Sequence, residues 1–231
     1  MPPVRPYHPE VTQADHVSTA REVYDATAEA YAQFVGTEIS AATEGPIDRA
    51  LISAFVELVT GHPASRVADV GCGPGRVAAF LAGQDIEVVG IDVSPAMLDV
   101  ARKAHPGIPF EEGSLTALPI PDHSLGAAVC WYSIIYTPPQ HLDGVVAELA
   151  RVLAPHAHLL VAFQAGEGEG VRRADAYGTR ISLTSYRHSP DDVVRRLTTA
   201  GFEVRAQAVR EPEFAHESTR QAFVLARTAG R

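Results

Sequence analysis

The sequence carries a single lysine, Lys103; arginine supplies the rest of its 19 basic residues, against 28 acidic ones, and the formal net charge is −9 over 231 residues. Phosphate neutralisation needs clustered cations, so a nucleic acid is not an expected partner. The acidity bears on solubility rather than on fold. Cysteine is almost as scarce. Cys72 and Cys130 give neither a metal-ligand spacing nor a disulfide framework, so no metal is expected. No run of about 18 apolar residues occurs, which argues against a transmembrane helix and a membrane partner. The opening "MPPVRPYHPEVTQADH" lacks the apolar segment of a secretory signal, and the expected compartment is the cytoplasm. What is present is a hydrophobic content of 46 %, ample for a sizeable core.

Residues 1–17 are rich in proline and polar residues and are expected to be flexible. Residues 18–36 read as a helix with Ser18 as N-cap, Glu22 nearby and Gly36 as its stop. Residues 46–60 read as a second helix, opened by Pro46, with Ile47, Leu51, Phe55 and Leu58 at helical spacing. Beyond them the pattern alternates. Strands are expected at 66–70, 86–93, 108–113, 125–133 and 157–164, with helices at 75–83, 94–104 and 139–153 between them. A helix at 190–201 then precedes strands at 202–209 and 218–227. Ser94 and Pro95 mark one helix start, and Gly201 marks the end of the last helix. Continuous apolar strands alternating with helices imply a mainly parallel sheet covered on both faces. In such a sheet a ligand sits at the carboxyl ends of the strands. Residues 165–189 form the one long irregular stretch, and its length suggests a functional loop or lid.

The stretch "VADVGCGPGRVA", 67–78, sets glycines at 71, 73 and 75 where a strand turns into a helix. Glycine there permits dihedrals barred to other residues and lets a ligand approach the backbone. The dinucleotide pattern G-x-G-x-x-G would need glycine at 76, where the chain has Arg76. Asp69, two residues ahead of Gly71, disfavours a pyrophosphate and suits a ligand with a cationic ammonium.

These residues resemble those of class I S-adenosylmethionine-dependent methyltransferases, of the small-molecule type 11/25 kind. The first glycine-rich motif, with its acid, matches at 67–78. "VVGIDVS" matches the second motif, and "EEGSLTALPIPDHSLGAAVCWYSII" resembles the next block. The resemblance covers roughly residues 20–163 and the final strand pair. It implies an α/β fold: a Rossmann-like, doubly wound seven-stranded sheet, parallel with an antiparallel last strand. It also implies one methyltransferase domain over 1–231, with 18–60 as an N-terminal helical cap; the 165–189 stretch, by its length, is expected to be a lid over substrate. The implied cofactor is S-adenosyl-L-methionine. It would be bound by Asp69, Gly71, Cys72, Gly73 and Gly75 of the first motif. Asp92, Val93 and Met97 would join them, with Asp92 on the ribose hydroxyls. Ser114 and Leu115 would meet the adenine; many members carry Asp where this chain has Ser114. Cys130 lies on the strand under the methionine portion, and Tyr24 and Tyr31 of the first helix would close the pocket.

The sulfonium methyl of that cofactor is already activated, so the protein's main work is orientation. A base is needed only for a poorly acidic hydroxyl. His123, His141 and His188 are the candidates, and His141, at the mouth of the fourth strand, is the one placed in the catalytic role. Trp131, Tyr132, Tyr136, Tyr186 and His188 are expected around a small-molecule acceptor. Arginines 172, 173 and 180 in the 165–189 loop could meet an anionic acceptor. Two other readings stay open: a catalytically silent cofactor-binding regulator or partner, and a nicotinamide-dependent dehydrogenase.

Overall fold

The computed structural model describes residues 13–60, 66–178 and 181–230. Two helices come first, α1 (Gln13–Val35) and α2 (Pro46–Val59). The alternating part runs β1 (Val67–Val70), α3 (Arg76–Ala82), β2 (Val88–Asp92), α4 (Pro95–Ala104), β3 (Phe110–Glu112), β4 (Leu125–Trp131), α5 (Leu142–Val152) and β5 (Leu153–Gln164). A small hairpin follows, β6 (Gly170–Arg173) and β7 (Leu183–Tyr186). The rest is α6 (Pro190–Thr199), β8 (Phe202–Arg210) and β9 (Gln221–Thr228).

Seven strands form one sheet in the order β3-β2-β1-β4-β5-β9-β8. β1 pairs in parallel with β2 and β4, and β5 in parallel with β4. β9 runs antiparallel to both β5 and β8. The strand order reverses at β1 and β4, and a ligand in such a sheet binds outside the carboxyl ends at that point. Strand alternation divides the core into two layers. On one face Ala68, Val70, Ala128 and Cys130 pack with Val145 and Leu149 of α5 and Val193 and Leu197 of α6. On the other, Val67, Ala127, Val129 and Trp131 pack with Phe55 of α2, Leu81 of α3 and Leu98 of α4. The helices thus cover both faces, which is why the central strands read as unbroken apolar runs.

Three expectations change. α1 is already helical at Gln13, so residues 13–17 belong to an ordered helix and Ser18 lies inside it, not at its cap. The remainder of the segment expected to be flexible, 1–12, lies outside the described residues. The helix expected at 139–153 begins as a 3₁₀ turn, Pro139–His141, and gives way to β5 at Leu153. The stretch 165–189 is not an irregular loop. β6 and β7 pair antiparallel from Gly170↔Tyr186 to Arg173↔Leu183, and Leu183 and Ser185 are buried. The alternation that forms this hairpin is short and mostly polar, so it left little hydrophobic signal. Among the described residues no helix is long and apolar enough to cross a membrane.

Ser94 ties three elements together at the carboxyl end of β2. Its hydroxyl accepts the Met97 N–H at 3.1 Å, capping α4, and donates to Asp25 Oδ1 of α1 at 2.6 Å. Its own N–H donates to Asp92 Oδ1 at 2.9 Å. Ser94 is fully buried, so losing the hydroxyl costs the cap and the shorter of the two bonds to Asp25 Oδ1, which keeps the Ala96 N–H at 3.2 Å. Ser94→Ala should cost about 2 kcal/mol of unfolding free energy. In urea this would read as a lower midpoint with an unchanged slope; an unmoved midpoint would mean that the cap and the α1 tether contribute nothing.

Candidate functional site

The turn from β1 into α3 runs across the carboxyl end of the sheet. Gly71, Gly73 and Gly75 have φ of +75°, +53° and +85°, the left-handed region that glycine enters without strain. At Gly71 a Cβ would stand 2.2 Å from the Ser133 Cβ. At Gly73 the nearest atom to a Cβ would be the Tyr31 Cε1 at 3.6 Å, so a side chain there would project into open space under α1. Gly75 serves packing instead: a Cβ would meet His105 and Phe110 at 3.0 Å. The turn is held from β2. Gly71 and Cys72 donate N–H bonds to the Ile91 carbonyl at 2.7 and 3.0 Å, and Gly73 donates to Asp92 Oδ2 at 2.9 Å.

A cavity opens at this place. Gly71, Gly73 and Asp92 form one wall, with Val93 and Met97 beside them. Ser114, Leu115 and Thr116, from the β3–β4 connection, form its end. Tyr24 and Tyr31 of α1 roof it, and Trp131, Tyr132 and Tyr136 close its inner side. His16, Val17 and Ala20 of α1 also line it. The sequence hid His16 and Val17, because they sit in the stretch 1–17 whose proline and polar residues suggested no helix.

A second cavity, enclosing about 1030 Å³ with the open solvent at its mouth, lies beyond Tyr31, Trp131, Tyr132 and Tyr136, which line both. Its far side comes from Gln164 of β5, Gln221 of β9 and Ser185 of β7. Tyr177, from the tip of the β6–β7 hairpin, packs edge-on to Tyr31 with ring centroids 4.9 Å apart. Tyr24 does the same to Tyr31 and Tyr136 at 5.4 and 5.3 Å. Thr43, Glu44 and Arg76 complete the wall under α1. Arg76, the residue that breaks the dinucleotide pattern, is half-buried and ion-paired with the buried Glu44 at 2.6 Å, and it also donates to the Val35 carbonyl at 3.4 Å. It fastens the α1–α2 connection to the glycine turn.

Asp69 is fully buried. Its Oδ2 accepts the Ala78 N–H of α3 at 3.0 Å, and it faces a small cleft shared with Gly71, Gly73, Arg76 and Trp131. Burial pushes its carboxyl up to about 7, with Asp92 adding to the rise and the Ala78 amide and Arg76 opposing it. Burial likewise raises Asp92, against the amides of Ser94 and Gly73. The phenols of Tyr24, Tyr31, Tyr132 and Tyr136 are all pushed above their usual range by burial. They are hydrogen-bond donors at neutral pH.

Other expected site residues fall off the cavities. Cys130 points to the opposite face of the sheet from Trp131, where burial raises its thiol to about 12. Cys72 lines only the small cleft by Asp69. Tyr186 packs over Gly170, because alternation in β7 turns Ser185 inward instead. His188 is in the core, its Nε2 3.1 Å from the Ile134 carbonyl. His141 stacks on the His16 ring at 5.2 Å and lines neither cavity, so the geometry gives it no reach to a reacting atom. His123 lies in the turn before β4, with Nδ1 3.1 Å from the Leu153 carbonyl. Arg172 reaches Ser182 at 3.0 Å, Arg173 lines the second cavity, and Arg180 lies outside the described residues. Among the described residues no group of three or more His, Cys, Asp or Glu could hold a metal.

Comparison with known proteins bears on this arrangement. Residues 67–156 match the model of a methyltransferase domain family. That match spans β1 through the start of β5, so this part of the chain carries a methyltransferase domain. It is 25 % identical over 192 residues to a malonyl-[acyl-carrier protein] O-methyltransferase of Serratia marcescens, covering 77 % of this chain and 72 % of that one. To a trans-aconitate 2-methyltransferase of Methylobacterium nodulans it is 36 % identical over 102 residues, 42 % of this chain and 37 % of that one. Among solved structures, 1,6-didemethyltoxoflavin-N1-methyltransferase of Burkholderia thailandensis, with bound S-adenosylhomocysteine, superposes with a TM-score of 0.72 at 16 % identity. That match covers 96 % of this chain and 93 % of the other. That neighbour's ligand is S-adenosylhomocysteine, and the cavity under α1 offers groups to such a ligand. Gly73 leaves bare backbone on the wall, and Asp92 presents a carboxylate at the end of β2.

At the wall between the cavities, Tyr132 has φ +60°. This left-handed residue ends the alternation of β4, so Trp131 and Tyr132 both line the cavities, a local strain of the kind stored at functional sites. Among the described residues, the Tyr132 hydroxyl and Trp131 Nε1 are buried without a partner. Since an unpaired buried hydroxyl costs free energy, Tyr132→Phe should hold or raise the unfolding free energy by up to about 1 kcal/mol in urea. A loss larger than that would mean the hydroxyl is already paired.

Proposed function

We propose that this methyltransferase moves a methyl group from S-adenosylmethionine, bound under α1, to a small-molecule acceptor in the second cavity. The observation that carries the reading is the shared wall. Tyr31, Trp131, Tyr132 and Tyr136 line both cavities, so two ligands would meet across a few aromatic side chains and nowhere else. The relatives named above act, by their names, on different acceptors, which supports the reaction class and leaves the choice of acceptor to the second cavity. A catalytically silent cofactor-binding protein would have no use for that cavity.

When bound, the cofactor supplies an activated methyl on a sulfonium. In this reading Asp92 accepts from the ribose hydroxyls, and the bare backbone at Gly71 and Gly73 lets the methionine portion lie close. Asp69 faces the ammonium across its small cleft, and Ser114 and Leu115 border the adenine. Tyr24, Tyr31 and Tyr136 exclude water, and their faces favour a cation. With phenols that stay protonated on the shared wall, the residues' contribution is orientation and desolvation. His141 is assigned no proton transfer.

Titration calorimetry should show binding of S-adenosylmethionine and S-adenosylhomocysteine and none of NAD; the reverse preference would sink the reading. A hydrogen bond to a charged group is worth about 1.5–3 kcal/mol, so Asp92→Asn should weaken S-adenosylhomocysteine at least about tenfold. Unchanged affinity would mean the carboxylate serves only Gly73 and Ser94.

The raised Asp69 adds a pH dependence. In the free protein burial pushes its carboxyl up to about 7, well above the usual carboxylate range. The folded state therefore holds this proton more tightly than the unfolded chain does, and stability is lost as pH rises through the folded value. A cationic ammonium opposite Asp69 favours the ionised form, so binding releases the proton. Between about pH 5 and 7 the affinity for S-adenosylhomocysteine should rise while the melting temperature of the free protein falls. An affinity that is flat over this window would remove Asp69 from the ammonium's surroundings.

A further inference from the structure

β5 and β9 are apolar through Leu159–Phe163 and Ala222–Ala226, and they then end side by side in two glutamines. Gln164 and Gln221 are register partners across the pair. Both face the second cavity, together with Ser185 of β7. Gln221 is 2 % exposed and Ser185 8 %, so their polar atoms meet the cavity rather than the outer surface. Gln221 Nε2 donates to the Thr219 carbonyl at 2.7 Å. That bond fixes which way the amide points and leaves its Oε1 as an acceptor. Among the described residues no donor reaches that oxygen, and no partner takes the Gln164 amide or the Ser185 hydroxyl. None of these polar groups is sealed from solvent, so each is open to a ligand in the cavity.

The charged groups around them point to a neutral partner. Glu44 is taken by Arg76, and Glu217 is taken by Arg210 at 2.6 Å. Arg173 and His216 are exposed at the cavity's rim. An anion at the glutamine end would face the fixed Gln221 Oε1, which can only repel it. A group that donates to Oε1 and accepts from both Gln164 and Ser185 satisfies all three. An N–H beside a C=O, as in a lactam or cyclic amide, has that pattern on one edge. The aromatic side chains along the cavity, Tyr31, Trp131, Tyr136 and Tyr177, suit a flat body behind such an edge.

We propose that the acceptor is a flat, conjugated molecule with a neutral amide-like edge. Gln164, Gln221 and Ser185 read that edge, while the opposite end of the molecule rests on the shared aromatic wall. The inference rests on the methyl-transfer reading for its direction, since the glutamines border the second cavity and not the first. It makes them specificity residues rather than catalytic ones. A site that pairs a substrate's polar groups rejects analogues lacking them far better than an apolar pocket rejects a change of size.

The test uses three probes of similar shape, titrated calorimetrically into protein saturated with S-adenosylhomocysteine: 2-quinolone, 2-naphthoate and 2-methylnaphthalene. The proposal expects 2-quinolone to bind at least tenfold tighter than either of the others. Gln164→Met should remove most of that preference while leaving the hydrocarbon's affinity and S-adenosylhomocysteine binding within twofold; among the described residues this amide bonds nothing, so the fold should tolerate the change. Gln221→Met should do the same. Tighter binding of 2-naphthoate, equal binding of all three, no binding of any, or a preference untouched in Gln164→Met would each overturn it. Failure to bind S-adenosylhomocysteine would overturn the cofactor reading instead, and the probes would then be ranked on the free protein by the same criteria.

Discussion

Between Val70 and Arg76 the backbone must leave the sheet, pass Ser133 and still offer an amide to β2. Gly71 runs so close to Ser133 that a Cβ would overlap its side chain at 2.2 Å. Gly73 must turn its N–H onto Asp92, 2.9 Å away. Much else hangs from this turn. The Asp92 carboxylate that receives Gly73 also receives Ser94, whose hydroxyl caps α4 and reaches Asp25 of α1. One acidic side chain thus sets the glycine turn, the start of α4 and, through Ser94, the seat of the roofing helix. Burial raises its pKa while those amides hold it down. Ligand site and local fold are therefore built from the same atoms.

The side facing the second cavity is organised by ion pairs out of water. Arg76 links the turn to Glu44, and Arg210 joins Asp48 of α2 at 2.7 Å and Glu217 at 2.6 Å. Such pairs add little net stability when desolvation is counted, but removing one partner strands the other. Here they place neutralised charges along the wall, so that the unpaired polar capacity of the cavity rests with glutamines, a serine and aromatic hydroxyls.

Much of the fold was legible because its signals are long or chemically constrained. Unbroken apolar runs at β1, β2, β4 and β5 require helices on both faces, and glycines between a strand and a helix require a bare turn. The walls built from Gly71, Gly73, Asp92, Val93, Met97, Ser114 and Leu115 follow from those elements and from the resemblance they carry. What was not legible depends on side-chain direction and distant chain segments. Cys130 and Trp131 are neighbours on opposite faces of the sheet, and Ser185 and Tyr186 exchange roles through the alternation of β7. Tyr132 lines the site only because its φ is positive. His16 joined the cavity from a stretch whose composition suggested no order. Gln221 and Glu217 come from the end of the chain, and no local pattern ties them to residues more than a hundred positions earlier. The histidines singled out for proton transfer failed for a related reason: residue type alone does not show that His188 is bonded to a core carbonyl.

The central claim is that the reacting centre lies where the two cavities meet. A crystal structure of the complex with S-adenosylhomocysteine tests it most directly. The account predicts the ribose on Asp92, the adenine by Ser114 and Leu115, and the thioether sulfur against the wall of Tyr31, Trp131, Tyr132 and Tyr136, facing the second cavity. Density that puts the nucleoside in the second cavity, or turns the sulfur away from that wall, would contradict it.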